Sequence, residues 1–558
     1  MSFTRKVCLT LGTALSTLGM AAVAHAQDDR PNILLIVVDD MGMADLGSFG
    51  GEIPTPNLDS LAEQGVRLTN FHASAVCSPS RAMLMTGVDN HLAGLGNMAE
   101  ELSPNQEGQP GYEGRLNDRV VTIATLLGDA GYDTFMTGKW HLGAVEGSRP
   151  SDRGFDRSFA MLSGGASHFA DMRPAYSPDP DGKAPYMEDG QPLTELPANF
   201  GYSSQFYVDQ MIEYLDSSNG DESPFFAYLA FTAPHWPLQA PAATIAKYKG
   251  QYDAGYDALF TERLARQKEL GIVPEDVSGG RLPLKYIPWT ELPEQQRKVE
   301  SRAMEIYAAM IDEIDSNTGR LIDSLEASGK LDNTVIVFMS DNGAEGHDLD
   351  ETWPGDLFPE IRRNIDERHD FSYEAMGAER SYVLYGPGWA RAGSPALSLF
   401  KGFPTEGGIR VPAFVTINGV DGGRISDRYY SIEDIAPTLL ELAGVQAPDG
   451  SWDGRPVEAI SGTSMLDSLV ADDSEDAVAS DAGEILGKSF IREGDWKAVR
   501  FPAPYGSGEW QLFNLADDLG ETDDLAATHP DKLDGLLGDW DEYVTKVGVV
   551  MPDWVSGY

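Results

Sequence analysis

The chain has 558 residues, with 41 lysines and arginines against 88 aspartates and glutamates, which gives a net charge of −47. This excess of negative charge excludes nucleic acid and anionic membrane surfaces as expected partners, because both would repel the protein. If the substrate is an anion, its site must be a local group of cations on an acidic body.

The N-terminus has the pattern of an export signal. Arg5 and Lys6 precede an apolar run over residues 7–23, and Ala24-His25-Ala26 supplies the small residues that a signal peptidase needs. We therefore predict a signal peptide over 1–26 and a mature protein that is periplasmic or secreted. No later stretch is long and apolar enough to span a bilayer, so we expect no membrane span in the mature form.

Strand and helix patterns alternate through the first 450 residues. Residues 32–38 form an aliphatic run typical of a strand buried on both faces of a parallel sheet. Further strand-like runs and helical patterns cover 57–64, 121–129, 132–136, 225–231, 294–328, 334–339 and 413–417. This alternation predicts an α/β sandwich around a mostly parallel sheet.

The last hundred residues differ from the rest in composition and in the pattern of predicted elements. The acidic run near 472–476 indicates linkers and surface loops, residues 488–500 predict a strand, and residues 530–546 predict a closing helix. We therefore predict a catalytic domain over 27–455 and a smaller C-terminal domain over 456–558. The long polar segments 145–222, 237–292 and 345–400 are expected to be functional loops or small elements.

Two predicted strands end in hard oxygen ligands. Asp39 and Asp40 follow the first strand, and Asp341 and Asn342 follow the run that begins at Thr334. Because open α/β sheets bind ligands at the carboxyl ends of their strands, we expect these side chains to meet there. Three carboxylates and an amide oxygen suit Ca²⁺ or Mg²⁺, although each pair alone could simply cap a helix.

Cations and imidazoles lie at similar positions. Lys139 and His141 follow the strand-like residues 132–136, His235 follows the run that ends at Phe231, and Lys401 precedes a Gly-Gly-Ile-Arg sequence. Taken one at a time, each is compatible with a purely structural or solvated role.

Cys77 is the only cysteine outside the predicted signal peptide, so an exported chain offers it no intramolecular disulfide partner. It begins the sequence Cys77-Ser78-Pro79-Ser80-Arg81, which continues to Leu84, Thr86 and Gly87. This pattern resembles the motif of type I sulfatases in the alkaline phosphatase superfamily. The sequences at 138–143, 233–238, 340–343 and 407–412 resemble those of the bacterial arylsulfatase branch.

The resemblance implies an alkaline-phosphatase-like sandwich with a large, mostly parallel, mixed sheet flanked by helices. It also implies a smaller C-terminal α+β domain with an antiparallel sheet and a closing helix. The implied activity is hydrolysis of an aryl sulfate to a phenol and sulfate. The nucleophile would be the hydrate of formylglycine (3-oxoalanine), made from Cys77 by a formylglycine-generating or sulfatase-maturating enzyme before export.

Roles for the candidate residues follow from the same resemblance. Asp39, Asp40, Asp341 and Asn342 would hold Ca²⁺, with Mg²⁺ as the second choice, and Asp341 would also accept the nucleophile's proton. Arg81 and Lys139 would steady formylglycine and the sulfate charge. His141 would take a proton during release of sulfate, and His235 and Lys401 would bind sulfate and protonate the leaving group.

Three alternatives stay open. A phosphonate monoester or phosphodiester hydrolase and a carbohydrate sulfatase belong to the same superfamily and would use the same motifs. A non-catalytic exported calcium-binding protein is the alternative from a different class, and it predicts the loss of at least one of Cys77, His141, His235 and Lys401. All four are present.

Overall fold

The structure, a computed structural model, describes residues 30–217, 223–471 and 480–554. The predicted signal peptide over 1–26 and the acidic run near 472–476 lie outside these residues. Within the described ranges, no helix combines the length and apolar character needed to cross a membrane.

The strands fall mainly where apolar, β-branched and aromatic residues cluster. In chain order they are β1 Asn32–Val38, β2 Val66–Leu68, β3 Phe71–His72, β4 Asp133–Lys139, β5 Arg157–Met161, β6 Tyr186–Glu188, β7 Gln191–Pro192, β8 Phe225–Ala230, β9 Thr334–Ser340, β10 Ala413–Thr416, β11 Arg424–Ser426, β12 Tyr430–Ser431, β13 Ser451–Trp452, β14 Arg455–Pro456, β15 Ser480–Ile485, β16 Lys488–Glu493, β17 Trp496–Arg500 and β18 Trp510–Asn514.

The helices range from single turns to one of 34 residues. They are α1 Pro56–Gln64, α2 Cys77–Thr86, α3 Asn90–Ala93, α4 Ile123–Asp129, α5 Ser203–Ser217, α6 Ala242–Ile245, α7 Tyr256–Glu269, α8 Glu294–Ala327, α9 Leu349–Thr352, α10 Pro359–Arg368, α11 Gly386–Gly393, α12 Glu406–Ile409, α13 Ile435–Leu442, α14 Leu466–Val470 and α15 Pro530–Val547. The predicted long helix from Glu294 is therefore α8, and Gly329 follows it with a left-handed φ of 70°.

Ten strands form one sheet in the order β11-β2-β10-β9-β1-β8-β4-β5-β6-β7. The central strands from β9 to β5 are parallel neighbours, whereas β10, β6 and β7 pair antiparallel with their neighbours. This arrangement confirms the predicted mixed, mostly parallel sheet.

Strand β1 shows why the sheet needs helices on both faces. Its alternate side chains enter two different cores: Leu34, Ile36 and Val38 enter the core that contains α5 and α8, and Ile33, Leu35 and Val37 enter the core that contains α2, α4 and α13. Because every residue after Asn32 is apolar, both faces of this strand have to be covered.

The register of the central strands fixes the place of the candidate site. Val38 of β1 is paired with Ser340 of β9, so the residues after both strands emerge side by side at the carboxyl edge of the sheet. The carboxyl ends of β4 and β8 reach the same edge, because both strands run parallel to β1.

The C-terminal residues form a second, four-stranded antiparallel sheet in the order β15-β16-β17-β18, and α15 packs on it through Leu536 and Trp540. The prediction of a single strand over 488–500 was wrong, because a turn at Gly494, with φ of 59°, divides this stretch into β16 and β17. The boundary near residue 455 stays a prediction.

Buried charges connect α12 and β3 to the C-terminal sheet. Glu406 of α12 accepts hydrogen bonds from Lys497 of β17 at 2.7 Å and from Nε2 of His72 at 3.0 Å, and Lys497 also lies 3.0 Å from Glu521. Arg410 and Arg492 lie against the same group. We refer to these six residues as the interface cluster.

Candidate active site

Cys77 is the first residue of α2, and its side chain is buried with 1 % exposure. Two backbone hydrogen bonds hold the segment before it: Ala73 donates to the carbonyl of Ile409, and Gly402 donates to the carbonyl of Ala75, each at 2.7 Å. The first turn of a helix presents backbone N–H groups without helical partners, which favours an anion nearby. Cys77 is therefore placed where an anionic group would be stabilised.

Three carboxylates and one amide meet at the ends of β1 and β9. The Nδ2 group of Asn342 donates to Oδ1 of Asp40 at 2.7 Å, and the backbone N–H of Asp40 donates to Asp341 at 3.4 Å. Asp40 has a left-handed φ of 71°, an unfavourable conformation for a residue with a Cβ that is found most often at functional sites. The sulfur of Cys77 lies 3.3 Å from Oδ1 of Asp39 and 4.0 Å from Oδ1 of Asp40.

Three cations pair with these carboxylates. Lys139, at the end of β4, donates to Asp39 at 2.6 Å, and Arg81 of α2 makes two contacts of 2.7 and 2.8 Å with Oδ2 of Asp341. Lys401 lies 2.9 Å from Oδ1 of Asp40 and 3.5 Å from Glu345. The structure thus brings three cations into this acidic body, one beside each of the three carboxylates.

The two candidate histidines make different contacts. Nδ1 of His235 donates to the carbonyl of Trp236 at 2.5 Å, and its Nε2 lies 3.7 Å from Asp40. Nε2 of His141 lies 3.0 Å from Glu100. Both imidazoles are almost completely buried, and burial lowers the pKa of each below its usual value.

Burial also sets the protonation of the acidic groups. It raises the pKa of Asp40 to about 8, against the attraction of Lys401 and with the help of its carboxylate neighbours. For Asp39, burial is outweighed by Lys139, His235 and Arg81, which hold its pKa well below the usual range. Burial and the charge of Asp39 raise the pKa of the Cys77 thiol well above its usual range.

The donor set fits a hard divalent cation. Asp39, Asp40, Asp341 and Asn342 offer carboxylate and amide oxygens, which Ca²⁺ and Mg²⁺ prefer. The Oδ1 atom of Asn342 is buried and, among the described residues, has no hydrogen-bond partner. Ligand atoms of Asp39, Asp40, Cys77 and His235 also lie within 4.8 Å of one another, so the candidate ion site adjoins residue 77.

A family model named Sulfatase matches residues 31–445, which is most of the chain. The chain belongs to the sulfatase family. An uncharacterized sulfatase of Schizosaccharomyces pombe is 42 % identical over 542 residues, covering 95 % of this chain and 96 % of that protein. An arylsulfatase of Klebsiella aerogenes is 41 % identical over 452 residues, covering 80 % and 94 % of the two chains.

The fold of this sulfatase also matches solved structures. The crystal structure of Ps i-CgsB in complex with k-i-k-neocarrahexaose aligns with a TM-score of 0.65 at 24 % identity, over 94 % of this chain and 95 % of that one. At this identity the match supports the fold alone. Together with the family model, it confirms the resemblance that the motifs indicated.

A small cavity opens onto the site of this sulfatase, and Cys77, His141, His235 and Lys401 all line it. Sequence reasoning found these four but missed Glu100, Tyr176 and Glu345, which contact them or their neighbours. Glu345 could have been found, because it lies four residues after Asp341 at the same strand end. Glu100 lies in a single 3₁₀ turn, Ala99–Glu101, and Tyr176 in an irregular segment, so no periodicity marks either residue.

Proposed function

We propose that this sulfatase hydrolyses sulfate monoesters and that aryl sulfates, which yield a phenol and sulfate, are its substrate class. The observation that carries the proposal is the convergence of Cys77, His141, His235 and Lys401 on one cavity beside buried carboxylates. Hydrolysis needs a nucleophile, neutralised sulfate oxygens and a proton for the leaving oxygen, and these residues offer groups for all three.

Cys77 is a poor nucleophile as it stands, because its raised pKa disfavours the reactive thiolate. We infer that residue 77 acts after oxidation to formylglycine, whose hydrate would supply one hydroxyl to attack sulfur and a second for the release of sulfate. The 1 % exposure of Cys77 supports modification before folding, by a maturation enzyme that meets the chain before export. Export itself rests on the predicted signal peptide over 1–26.

The oxygen ligands Asp39, Asp40, Asp341 and Asn342 would hold Ca²⁺. When bound, the ion would supply a Lewis acid that polarises a sulfate oxygen and offsets the surplus of carboxylates. Asp341, which receives two contacts from Arg81, would accept the proton of the attacking hydroxyl.

The remaining groups bind sulfate and move protons. Lys139, Lys401 and Arg81 would neutralise the sulfate oxygens, and His235 would give a proton to the leaving oxygen together with Lys401. His141 would take the proton of the second hydroxyl of residue 77 while the C–O bond to sulfate breaks, the electron pair leaves with sulfate, and the carbonyl re-forms.

The preference for an aryl group is supported by the arylsulfatase of Klebsiella aerogenes, which is 41 % identical to this chain. It also agrees with two aromatic side chains on the cavity, Tyr176 and Trp353, whose rings lie 4.8 Å apart. A carbohydrate sulfatase is the second candidate, because an N-acetylglucosamine-6-O-sulfatase of Bacteroides thetaiotaomicron is 26 % identical over 576 residues, covering 92 % of this chain and 87 % of that protein.

The test combines a substrate panel with mass spectrometry of purified protein from a host with a maturation enzyme. We expect 4-nitrophenyl sulfate to be hydrolysed with a higher kcat/KM than 4-nitrophenyl phosphate, a phosphonate ester or a sulfated disaccharide. The peptide that contains residue 77 should carry formylglycine, and Cys77→Ala should be inactive. An active protein with an unmodified thiol would overturn the mechanism, and preference for another ester would overturn the aryl assignment.

A further inference from the structure

Glu100 and Tyr176 form a chain of hydrogen bonds behind His141. Nε2 of His141 lies 3.0 Å from Oε1 and 3.4 Å from Oε2 of Glu100, and the Tyr176 hydroxyl donates to the same Oε1 at 2.5 Å. The opposite ring nitrogen, Nδ1 of His141, is buried and has no hydrogen-bond partner within the described part of the chain. A buried imidazole with one nitrogen held and the other available is arranged for proton transfer.

Gly164 provides the space in which these three side chains meet. A Cβ built on Gly164 would lie 2.7 Å from Cε1 of His141 and 3.0 Å from Oε1 of Glu100, and it would also overlap the Tyr176 hydroxyl. Any larger residue would have to displace at least one member of the group. The local backbone is thus matched to this arrangement of side chains.

We propose that Glu100 is a positioning residue for His141: it accepts the Nε2–H of the neutral imidazole and so fixes the tautomer whose Nδ1 lone pair can take a proton from residue 77. The inference rests on the proposed function, because it concerns the release of sulfate. The proton gained by Nδ1 makes an imidazolium, and the carboxylate of Glu100 stabilises its positive charge. In this role Glu100 acts through His141 and exchanges no proton with residue 77.

The electrostatic surroundings of His141 agree with this role. Burial lowers the pKa of His141, Glu100 opposes that effect through its charge and hydrogen bond, and Lys139 and Arg81 add to it. Without Glu100, every remaining influence lowers the basicity of the ring. The other titratable groups on the same cavity are Cys77, Glu101, His235 and Lys401.

The first test measures the imidazole directly and needs no active enzyme. In the full-length mature protein with an unmodified Cys77, ring ¹⁵N spectra of labelled histidines report the pKa and tautomer of His141, which His141→Asn assigns. We expect the neutral ring to be protonated on Nε2, and we expect Glu100→Gln to lower its pKa and mix the two tautomers. Glu101→Gln is the matched control, since it removes the neighbouring carboxylate and should leave the tautomer unchanged.

The second test measures kinetics of the modified enzyme with 4-nitrophenyl sulfate. The value of kcat depends on the release of sulfate, whereas kcat/KM depends only on the steps up to the first irreversible one. Glu100→Gln should therefore lower kcat by about tenfold or more and kcat/KM much less. The acidic limb of the kcat–pH profile should move to lower pH. Glu100→Asp, which keeps the charge on a shorter side chain, should restore part of kcat, and Gly164→Ala should mimic Glu100→Gln.

Unchanged His141 signals in Glu100→Gln, or an unchanged kcat despite altered signals, would overturn the positioning role. Glu101→Gln giving the same shifts would also overturn it, because the effect would then come from charge alone. Thermal unfolding of each variant checks that the fold is retained. If the wild type fails to hydrolyse sulfate esters, the proposed function fails, while the ¹⁵N spectra still decide whether Glu100 fixes the imidazole.

Discussion

Two of the buried groups of charges in this sulfatase, the interface cluster and the candidate active site, differ in how completely the chain matches a carboxylate with positive charge. In the interface cluster, burial opposes ionisation of Glu406, yet Lys497, His72 and Arg492 hold its pKa well below the usual range. At the candidate active site, burial and neighbouring carboxylates raise the pKa of Asp40 to about 8 in spite of Lys401. The surroundings of Glu406 therefore favour its ionised form, whereas those of Asp40 are short of positive charge.

The difference separates a structural ion network from a ligand site. Burying charge is favourable only when the partners and hydrogen bonds are complete, and Glu406, which accepts hydrogen bonds from Lys497 and His72, approaches that condition. The active site keeps a buried Asn342 Oδ1 without a partner in the described chain and borders a cavity. We therefore expect substitutions in the first group to change stability and substitutions in the second to change activity.

Of the predicted changes, the loss of activity in Asp40→Asn should be the largest. We expect kcat/KM for 4-nitrophenyl sulfate to fall about 100- to 1000-fold, a loss typical when one group that stabilises developing charge is removed. In the presence of a chelator, its Tm should not fall, because the substitution relieves repulsion among three carboxylates. A drop in Tm as large as that of Glu406→Gln would break the comparison.

Glu406→Gln should lower the free energy of unfolding by about 3–5 kcal/mol, measured in urea, because it leaves Lys497 buried with one fewer carboxylate. Since the folded-state pKa of Glu406 lies below its unfolded value, the stabilisation is complete above that unfolded pKa and is lost as the pH falls through the folded one. The difference in the free energy of unfolding between the wild type and Glu406→Gln should therefore become smaller as the pH is lowered. Glu294→Gln, in the exposed pair with Lys298, is the control and should leave the free energy of unfolding almost unchanged.

His91 offers a test with the opposite pH dependence. It is buried 3.2 Å from Asp89 and 3.5 Å from Glu484 of β15, and although burial disfavours its charge, these carboxylates raise its pKa to about 9. Its contribution is complete below its unfolded pKa and is lost as the pH rises through about 9. His91→Gln should cost about 3 kcal/mol at pH 6, by calorimetry, and little at pH 10; an equal cost at both would contradict the assignment.

The smallest predicted change is the gain in stability when Ca²⁺ binds. Adding Ca²⁺ to chelator-treated wild-type protein should raise the free energy of unfolding by about 2.7 kcal/mol at 100 times its Kd. We expect Mg²⁺ to give a smaller rise and Asp40→Asn to respond weakly to either ion, whereas Glu406→Gln should respond like the wild type. An equal response from Asp40→Asn would remove that residue from the ion site.

Much of the architecture was predictable because it depends on local patterns. The apolar run of β1, the long amphipathic α8 and the polar pairs after β1 and β9 are visible in the sequence, and the rule that parallel strands end at one edge brings those pairs together. The turn at Gly494, which divides β16 from β17, carries a signal in the sequence as well, namely the glycine itself. It was not predicted, because residues with a strand pattern lie on both sides of it.

The contacts between distant irregular segments could not be predicted in the same way. Glu100 meets His141 and Tyr176 only because three separate loops converge, and the space left by Gly164 is visible only in three dimensions. Likewise, nothing in the spacing of His72, Glu406 and Lys497 indicates that they form one network. Sequence motifs identify the candidate catalytic groups. The contacts that orient these groups are formed by residues far apart in the sequence and become visible only in the tertiary structure.

The backbone partners of the segment before Cys77 have a consequence for the timing of synthesis. Ala73 and Ala75 hydrogen-bond to Ile409 and Gly402, so this segment cannot take up its native hydrogen bonds until residues more than 300 positions later have been made. At about 5–20 residues per second, that interval lasts roughly 15 to 65 s. During that interval the segment lacks both hydrogen bonds, and this delay is the time that the modifying enzyme we propose would have to reach Cys77.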